Sequence, residues 1–266
     1  MILVFDVGNT ETTVGLFDGE LLSAHWRLTT NVARTADELG LLLRALCDAA
    51  SVRADAVSGA AVGSVVPAVT PPLLEACARY FGVTPVVVDA KAPLPIRLDV
   101  DEPLTVGADR LINTLAASRM YGVDTIVVDL GTANTFDCIT ADGVFLGGVI
   151  APGVQTSAES LFRRTSKLPA TELAAPARVI GRRTEECIRA GVVYGSADAI
   201  DGLVRRIKAE WPGGGTPLVV ATGGLAEVFR GHCREIDRVE PFLTLEGLRI
   251  AHGLLGAVQA EGGHNG

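Results

Sequence analysis

The sequence predicts an α/β protein built from two copies of one unit, on three observations. Leu3-Val4-Phe5-Asp6-Val7-Gly8-Asn9-Thr10 and Val127-Val128-Asp129-Leu130-Gly131-Thr132-Ala133 follow the same plan, an apolar run and then Asp-x-Gly with small polar residues behind it. Each is followed by a polar and β-branched stretch and by an Asp-Gly turn, at Asp18-Gly19 and at Asp142-Gly143. Beyond each hairpin, strand patterns alternate with helical ones, the signature of an α/β domain. A repeat on this scale means two copies of one supersecondary element. Two such copies facing each other would form a cleft with a carboxylate on each wall, suited to a phosphoanhydride. The expected domains are residues 1–117 and 118–266.

Ile2 to Phe5, Thr12 to Phe17 and Leu21 to Leu28 read as strands, the last two joined by the Asp-Gly hairpin signal. Thr35-Ala36-Asp37-Glu38 is a capping box opening a helix to about Ala50. A small-residue strand near Ala56 to Val62, a helix after Pro71 ending at Gly82 and a strand Pro85 to Val88 complete the first alternation. Lys91 to Pro103, with three prolines and mixed charges, reads as a connecting loop. From Gly107-Ala108-Asp109-Arg110 onward, Leu111, Ile112, Leu115 and Ala116 fall on one helical face, leaving Asp109 and Asn113 together on another. The second repeat starts at Thr125, and its strands run to about Ile150. Pro152-Gly153 ends them, and a helix carries Glu159, Arg163 and Arg164. Helices are expected over Thr184 to Trp211, interrupted near Gly195, and over Leu245 to Gln259. Between them a buried strand, Leu218 to Ala221, ends in Thr222-Gly223-Gly224, with a helix from about Leu225. Glu261 to Gly266 reads as a disordered tail.

Bulk composition narrows the function. The chain has 266 residues, 48% hydrophobic, enough for one large or two medium cores. Its 23 basic and 31 acidic residues give a net charge of −8, which argues against nucleic acid and against an acidic membrane surface. Cys47, Cys77, Cys138, Cys187 and Cys233 are odd in number and widely spaced, so neither a disulfide framework nor a zinc site is indicated. The start reaches an acid at Asp6 without the pattern of a secretion signal, and the longest uncharged window carries Pro67, Pro71 and Pro72. A reducing cytoplasmic setting is expected.

Three acids carry the chemistry. An Asp at a strand end followed by Gly and a hydroxyl or amide residue lets backbone N–H groups approach phosphate oxygens while the carboxylate holds a cation or water. The same motif also makes an ordinary tight turn, and Thr222-Gly223-Gly224 is explained equally by helix and strand packing or by close approach of a nucleotide. Asp109 beside Arg110 in a first helical turn reads either as a dipole-compensating surface pair or as a general base. Together Asp6, Asp109 and Asp129 satisfy the logic of phosphoryl transfer. No Gly-x-x-x-x-Gly-Lys-[Ser/Thr] occurs, which excludes a P-loop.

Taken together, Asp6-Val7-Gly8-Asn9-Thr10, Val106-Gly107-Ala108-Asp109-Arg110, Asp129-Leu130-Gly131-Thr132-Ala133, Gly147-Gly148-Val149-Ile150-Ala151-Pro152-Gly153, Lys167-Leu168-Pro169, Ile180-Gly181-Arg182-Arg183-Thr184, Thr222-Gly223-Gly224-Leu225-Ala226 and Leu243-Thr244-Leu245-Glu246-Gly247-Leu248 resemble type III pantothenate kinases, in family order and over residues 1 to about 255. The resemblance implies two duplicated ribonuclease-H-like domains of the actin, hexokinase and Hsp70 superfamily with an interdomain ATP cleft, and a homodimer. It implies ATP-dependent phosphorylation of the primary hydroxyl of pantothenate to 4'-phosphopantothenate, the first step of coenzyme A biosynthesis. By the same carry-over the first phosphate loop is Asp6, Val7, Gly8, Asn9, Thr10, Glu11, Thr12 and Thr13, with Asp6 near Mg2+. Thr132, Gly223 and Gly224 meet ATP, and Asp129 holds K+ or NH4+. Gly107, Ala108, Asp109 and Arg110 bind pantothenate, with Asp109 as base, and Thr184 reaches the substrate across the dimer interface.

Three positions depart from the family pattern. Glu11 stands where Asn is frequent and adds a charge near the expected phosphates. Asn134 replaces Thr or Ser, and Val100 replaces an aromatic that helps wall the pantothenate pocket. The alternatives are a sugar kinase of the same superfamily, which would not need the Gly-Ala-Asp-Arg block, and a non-catalytic nucleotide-binding regulatory protein, against which the retained acids argue.

Overall fold

The computed structural model describes residues 1–262. The chain is mixed α/β with two sheets, and packing divides it into two compact units, Met1–Met120 with the C-terminal helix from Leu243, and Tyr121–Phe242. The first boundary falls three residues beyond the expected 117/118. The helix from Leu243, assigned by sequence order to the second domain, packs in the first unit.

In the first unit, β1 (Ile2–Val7), β2 (Glu11–Asp18) and β3 (Leu21–Thr29) form an antiparallel meander. Gly19 takes the left-handed conformation, φ 60°, that the β2–β3 turn requires. Next come α1 (Ala36–Ala49), β4 (Gly59–Ser64), α2 (Thr70–Phe81) and β5 (Val86–Val88). The sheet order is β3-β2-β1-β4-β5, with β1, β4 and β5 parallel. The capping box forms as written. Glu38 N–H donates to Thr35 Oγ1 at 3.2 Å and Thr35 N–H donates to Glu38 Oε2 at 2.8 Å. Gly82, φ 69°, closes α2.

The segment expected to be loop contains a two-residue strand, β6 (Arg97–Leu98), too short to show periodicity. Then α3 (Ala108–Met120) leads to the second unit.

The two-residue alternation of β1 fixes where the chemistry lies. Leu3, Phe5 and Val7 face α1 and α2, packing with Leu39, Leu43, Leu73 and Cys77. Val4 and Asp6 therefore face the other way, toward α3 and the C-terminal helix. Small residues in β2 and β4 allow that second layer to approach: a Cβ at Gly15 would lie 3.1 Å from Leu245, and one at Gly63 would collide with Ile112.

The second unit repeats the plan with β7 (Thr125–Leu130), β8 (Ala133–Ile139), β9 (Val144–Pro152), α4 (Val154–Arg164), α5 (Thr184–Ala209), β10 (Leu218–Thr222), α6 (Ala226–Phe229) and β11 (Arg238–Val239). Its strands run β11-β10-β7-β8-β9, again with an antiparallel meander and a parallel fourth and fifth strand. Ile126, Val128 and Leu130 pack with Val154 and with Ile188, Val192, Ala197 and Ile200 of α5.

No interruption occurs near Gly195, because α5 is one helix whose buried face runs from Ile188 to Val204. That burial outweighs the roughly 1 kcal/mol a mid-helix glycine costs. The last described element is α7 (Leu243–Gly262), so Glu261 and Gly262 extend a helix rather than belonging to a tail. Gly263 to Gly266, also read as tail, lie outside the described residues. All five cysteines are free.

Candidate active site

Two acids meet in the first unit. Asp6 ends β1 on the α3 face, partly buried, paired in register with Thr13 and Gly63. Asp109 sits in the first turn of α3, also partly buried. Its carboxylate bends back over Gly107, where a Cβ would lie 2.5 Å from Oδ1, so a side chain at that position would displace the acid. Burial, and then the nearby charge of Asp109, push the Asp6 carboxyl up to about 7. Burial also raises Asp109, against the lowering effect of the Arg110 amide and guanidinium. Arg110 is half-buried beside it and Ala108 is packed inward.

Asn113, four residues on, does not share a solvent face with Asp109. It is fully buried, and its Oδ1 accepts a 3.0 Å bond from Thr244 of α7.

The hairpin following Asp6 is closed by Gly8 N–H donating to Glu11 O at 3.1 Å. Asn9 and Thr10 are exposed at its tip, Val7 and Thr12 are buried, and Thr13 is intermediate. Behind the tip, Thr30 N–H donates to Thr10 O at 2.9 Å, and the Thr12 and Thr30 hydroxyls bond each other at 2.8 Å. Thr30 carries no sequence signal beyond its polarity at the end of a strand.

In the second unit Asp129 holds the matching place, in register with Thr135 and Thr222. This hairpin is one residue tighter, closed by Gly131 N–H to Ala133 O at 3.2 Å, with Thr132 exposed at its tip. Gly153 N–H and Thr156 Oγ1 both donate to Thr132 O, at 3.2 and 2.7 Å. A Cβ at Gly153 would collide with the carbonyls of Gly131 and Thr132. The Pro152-Gly153 signal thus marks a close approach as well as a strand end. Gly223, φ 89°, lies so close to the acid that a Cβ would collide with Asp129 Oδ1 and sit 2.8 Å from Leu130 N and O. Gly224 follows, exposed, ahead of α6.

A family model described as type III pantothenate kinase matches residues 2–206. The chain belongs to the type III pantothenate kinase family. A type III pantothenate kinase of Roseiflexus sp. (strain RS-1) is 46% identical over 252 residues, covering 95% of this chain and 98% of the relative. The type III pantothenate kinase of Moorella thermoacetica is 44% identical over 254 residues, with the same shares of 95% and 98%. Among solved structures, a Baf-family protein from Campylobacter jejuni superposes with a TM-score of 0.57 at 16% identity, over 95% of this chain and 98% of its own. The activator of the 2-hydroxyisocaproyl-CoA dehydratase from Clostridium difficile, with bound ADPNP, gives 0.57 at 14% identity, over 98% and 97%. Identities this low speak to the fold alone.

The three departures from the type III pantothenate kinase pattern have distinct settings. Glu11 is exposed, and its Oε2 lies 3.6 Å from Arg27 Nη1 on β3, so its charge is directed along the sheet surface and partly offset. Asn134 is buried in β8, its Oδ1 without a hydrogen-bond partner. Val100 is half-buried in the loop after β6. Thr184 is exposed as the first residue of α5, after Arg183.

Proposed function

We propose that the chain transfers the γ-phosphoryl group of ATP to the primary hydroxyl of pantothenate, giving 4'-phosphopantothenate and ADP, the opening step of coenzyme A biosynthesis. The observation that carries the mechanism is the convergence of Asp6 and Asp109, from β1 and α3, with both carboxyls shifted upward by burial. Asp109 accepts the hydroxyl proton as the alcohol oxygen attacks the γ-phosphorus, and the β–γ bridging oxygen leaves with ADP. A base held above the ordinary carboxylate range matches this task better than a surface Asp. Gly107, Ala108 and Arg110 shape the substrate side, with Arg110 suited to the pantothenate carboxylate. Val100 lines the same pocket, and Thr184 reaches substrate from the partner subunit.

The backbone of Val7, Gly8, Asn9, Thr10, Glu11, Thr12 and Thr13 receives phosphate oxygens of ATP, as does Thr132, and Gly223-Gly224 lets the nucleotide approach the main chain. The site chemistry fits Mg2+ at Asp6. Two carboxyls raised by burial, Asp6 also by the charge of Asp109, suit a compensating cation, and Mg2+ takes one or two carboxylates with substrate phosphates and water, not a closed protein cage. When bound it supplies charge neutralisation on the phosphates. Asp129 is the carboxylate that would hold K+ or NH4+.

Both sheets place the first strand centrally, with an antiparallel meander on one side and parallel strands on the other, which supports reading them as duplicated ribonuclease-H-like domains. Ile150, Phe162 and Ile180, 65%, 49% and 86% exposed, support burial of the second unit in a homodimer. Among the described residues no helix is long and apolar enough to cross a membrane, which is compatible with the proposed cytoplasmic location.

The test is ADP release with pantothenate and with a panel of hexoses, in K+ and in Na+. Pantothenate-dependent release that requires K+ or NH4+ is expected. Release with a hexose in its place would support the sugar-kinase reading, and full activity in Na+ would remove the role of Asp129.

A further inference from the structure

A cavity of about 320 Å³ lies in the first unit on the α1/α2 side of the sheet, the opposite face from Asp6, and of the residues assigned to phosphate or pantothenate only Thr12 lines it. Its volume is roughly twice the ~150 Å³ that accommodates benzene, which suits a ligand of about ten non-hydrogen atoms. Phe5, Leu28, Leu39, Val69 and Leu73 give it apolar walls. Its polar lining is Thr12, Thr29, Thr30, Asn31 and Arg34. Thr12 and Thr30 line it and bond each other at 2.8 Å, sharing one of their two hydroxyl protons and leaving the second to donate elsewhere. Arg34 lines it too, half-buried, using Nη1 on Thr29 O at 2.8 Å and keeping the rest of its guanidinium fork.

An apolar chamber with one guanidinium fits an aliphatic chain ending in a carboxylate, which matches that fork in plane and charge. Thr30 also holds the first phosphate hairpin, through its N–H bond to Thr10 O and its hydroxyl bond to Thr12. We infer that this cavity binds a medium-chain aliphatic monocarboxylate and that its occupancy changes the affinity of the Gly8–Thr12 hairpin for ATP. The binding stands on the cavity; the link to ATP rests on the phosphate role proposed for that hairpin.

The probe is octanoate, with 1-octanol as its uncharged counterpart, titrated calorimetrically into the full chain and followed by the amide signals of Thr12 and Thr30. Octanoate is expected to bind one to one, to shift both amides and to bind at least tenfold tighter than 1-octanol. Arg34→Gln should remove that preference, and Leu73→Trp or Val69→Phe, which fill the chamber, should abolish binding while pantothenate phosphorylation without octanoate persists. Saturating octanoate should change the KM for ATP at least twofold in the unsubstituted chain and not in the filled variants. Absence of millimolar binding, equal binding by a folded filled variant, or equal affinity for 1-octanol would overturn the ligand assignment. Binding with an unchanged KM for ATP would overturn the coupling alone. The calorimetric and amide readouts need no turnover, so failure of the kinase reading would leave them intact.

Discussion

Asp6 and Asp129 hold the same position in two sheets that share a five-strand order, each next to last in the first strand of its unit with an Asp-x-Gly hairpin beyond it. Each hairpin is also braced alike: the residue just after the third strand donates its N–H to a carbonyl at the tip, Thr30 to Thr10 and Gly153 to Thr132. What lies beside each acid differs. Asp6 faces a second carboxylate carried by α3, whereas Asp129 faces the bare backbone of Gly223. The braces differ too, one bordering a cavity and the other so tight that Gly153 has no room for a side chain. On the function proposed above, one phosphate-binding scaffold would occur twice, with the proton chemistry in the copy where a helix brings a second acid.

Several substitutions would break or sharpen that contrast. Between the two hairpin acids the larger effect is expected from Asp6→Asn, which should lower kcat by about 10²-fold or more through loss of charge stabilisation around the phosphates. A smaller loss at Asp6 than at Asp129 would reverse the assignment of chemistry to the first copy.

Next is Gly223→Ala. A left-handed φ costs a residue with a side chain roughly 1–2 kcal/mol, and collision with Asp129 adds to it, so denaturant unfolding should show a loss above ~2 kcal/mol. Gly19→Ala is the control, with a similar φ of 60° and no atom within 4 Å of the added Cβ, and should cost only about 1 kcal/mol. Equal losses would mean that Asp129 is not crowded by that turn.

The pH dependence of stability gives a third comparison. The Asp6 carboxyl moves from 3.8 when unfolded to about 7 when folded, so its protonated form favours the fold. That contribution is fully present below pH ~3.8 and is lost as pH rises through about 7. The ligand-free chain should therefore lose melting temperature between pH 4 and 8 more steeply than Asp6→Asn does. Parallel curves would show that Asp6 is not desolvated.

The smallest effects concern the braces. Thr30→Val leaves the buried Thr12 hydroxyl unpaired and should cost about 1 kcal/mol or more, while Thr156→Val, at an exposed bond, should cost less than ~1 kcal/mol. Thermal unfolding of the two variants decides the order.

Much of this was legible in the residues. The Asp-Gly turns, the Thr35–Glu38 capping box and the Gly82 helix end are local chemistry, and local chemistry reads directly. The two-residue strands β6 and β11 were not legible, because two residues carry no period. Gly195 suggested a break in α5 that one continuous buried face overrides. Sequence order placed α7 with the second repeat, but its Leu245, Gly247 and Leu248 pack against Gly15, Ile112 and Gly63, contacts that no local pattern announces. The identity of Asp6, Asp109 and Asp129 as acids was readable. That Asp6 and Asp109 share one face, and that Thr30 and Gly153 brace the hairpins, depends on long-range register.

The central claim is that Asp109 removes the proton while the Asp6 hairpin holds the nucleotide. Single-turnover phosphorylation of pantothenate by Asp109→Asn, with ATP binding measured on the same sample, tests it most directly. Transfer slowed by about 10²–10⁴-fold with ATP affinity unchanged is the expected result. Transfer at the unsubstituted rate, or a matching loss of ATP binding, would contradict it.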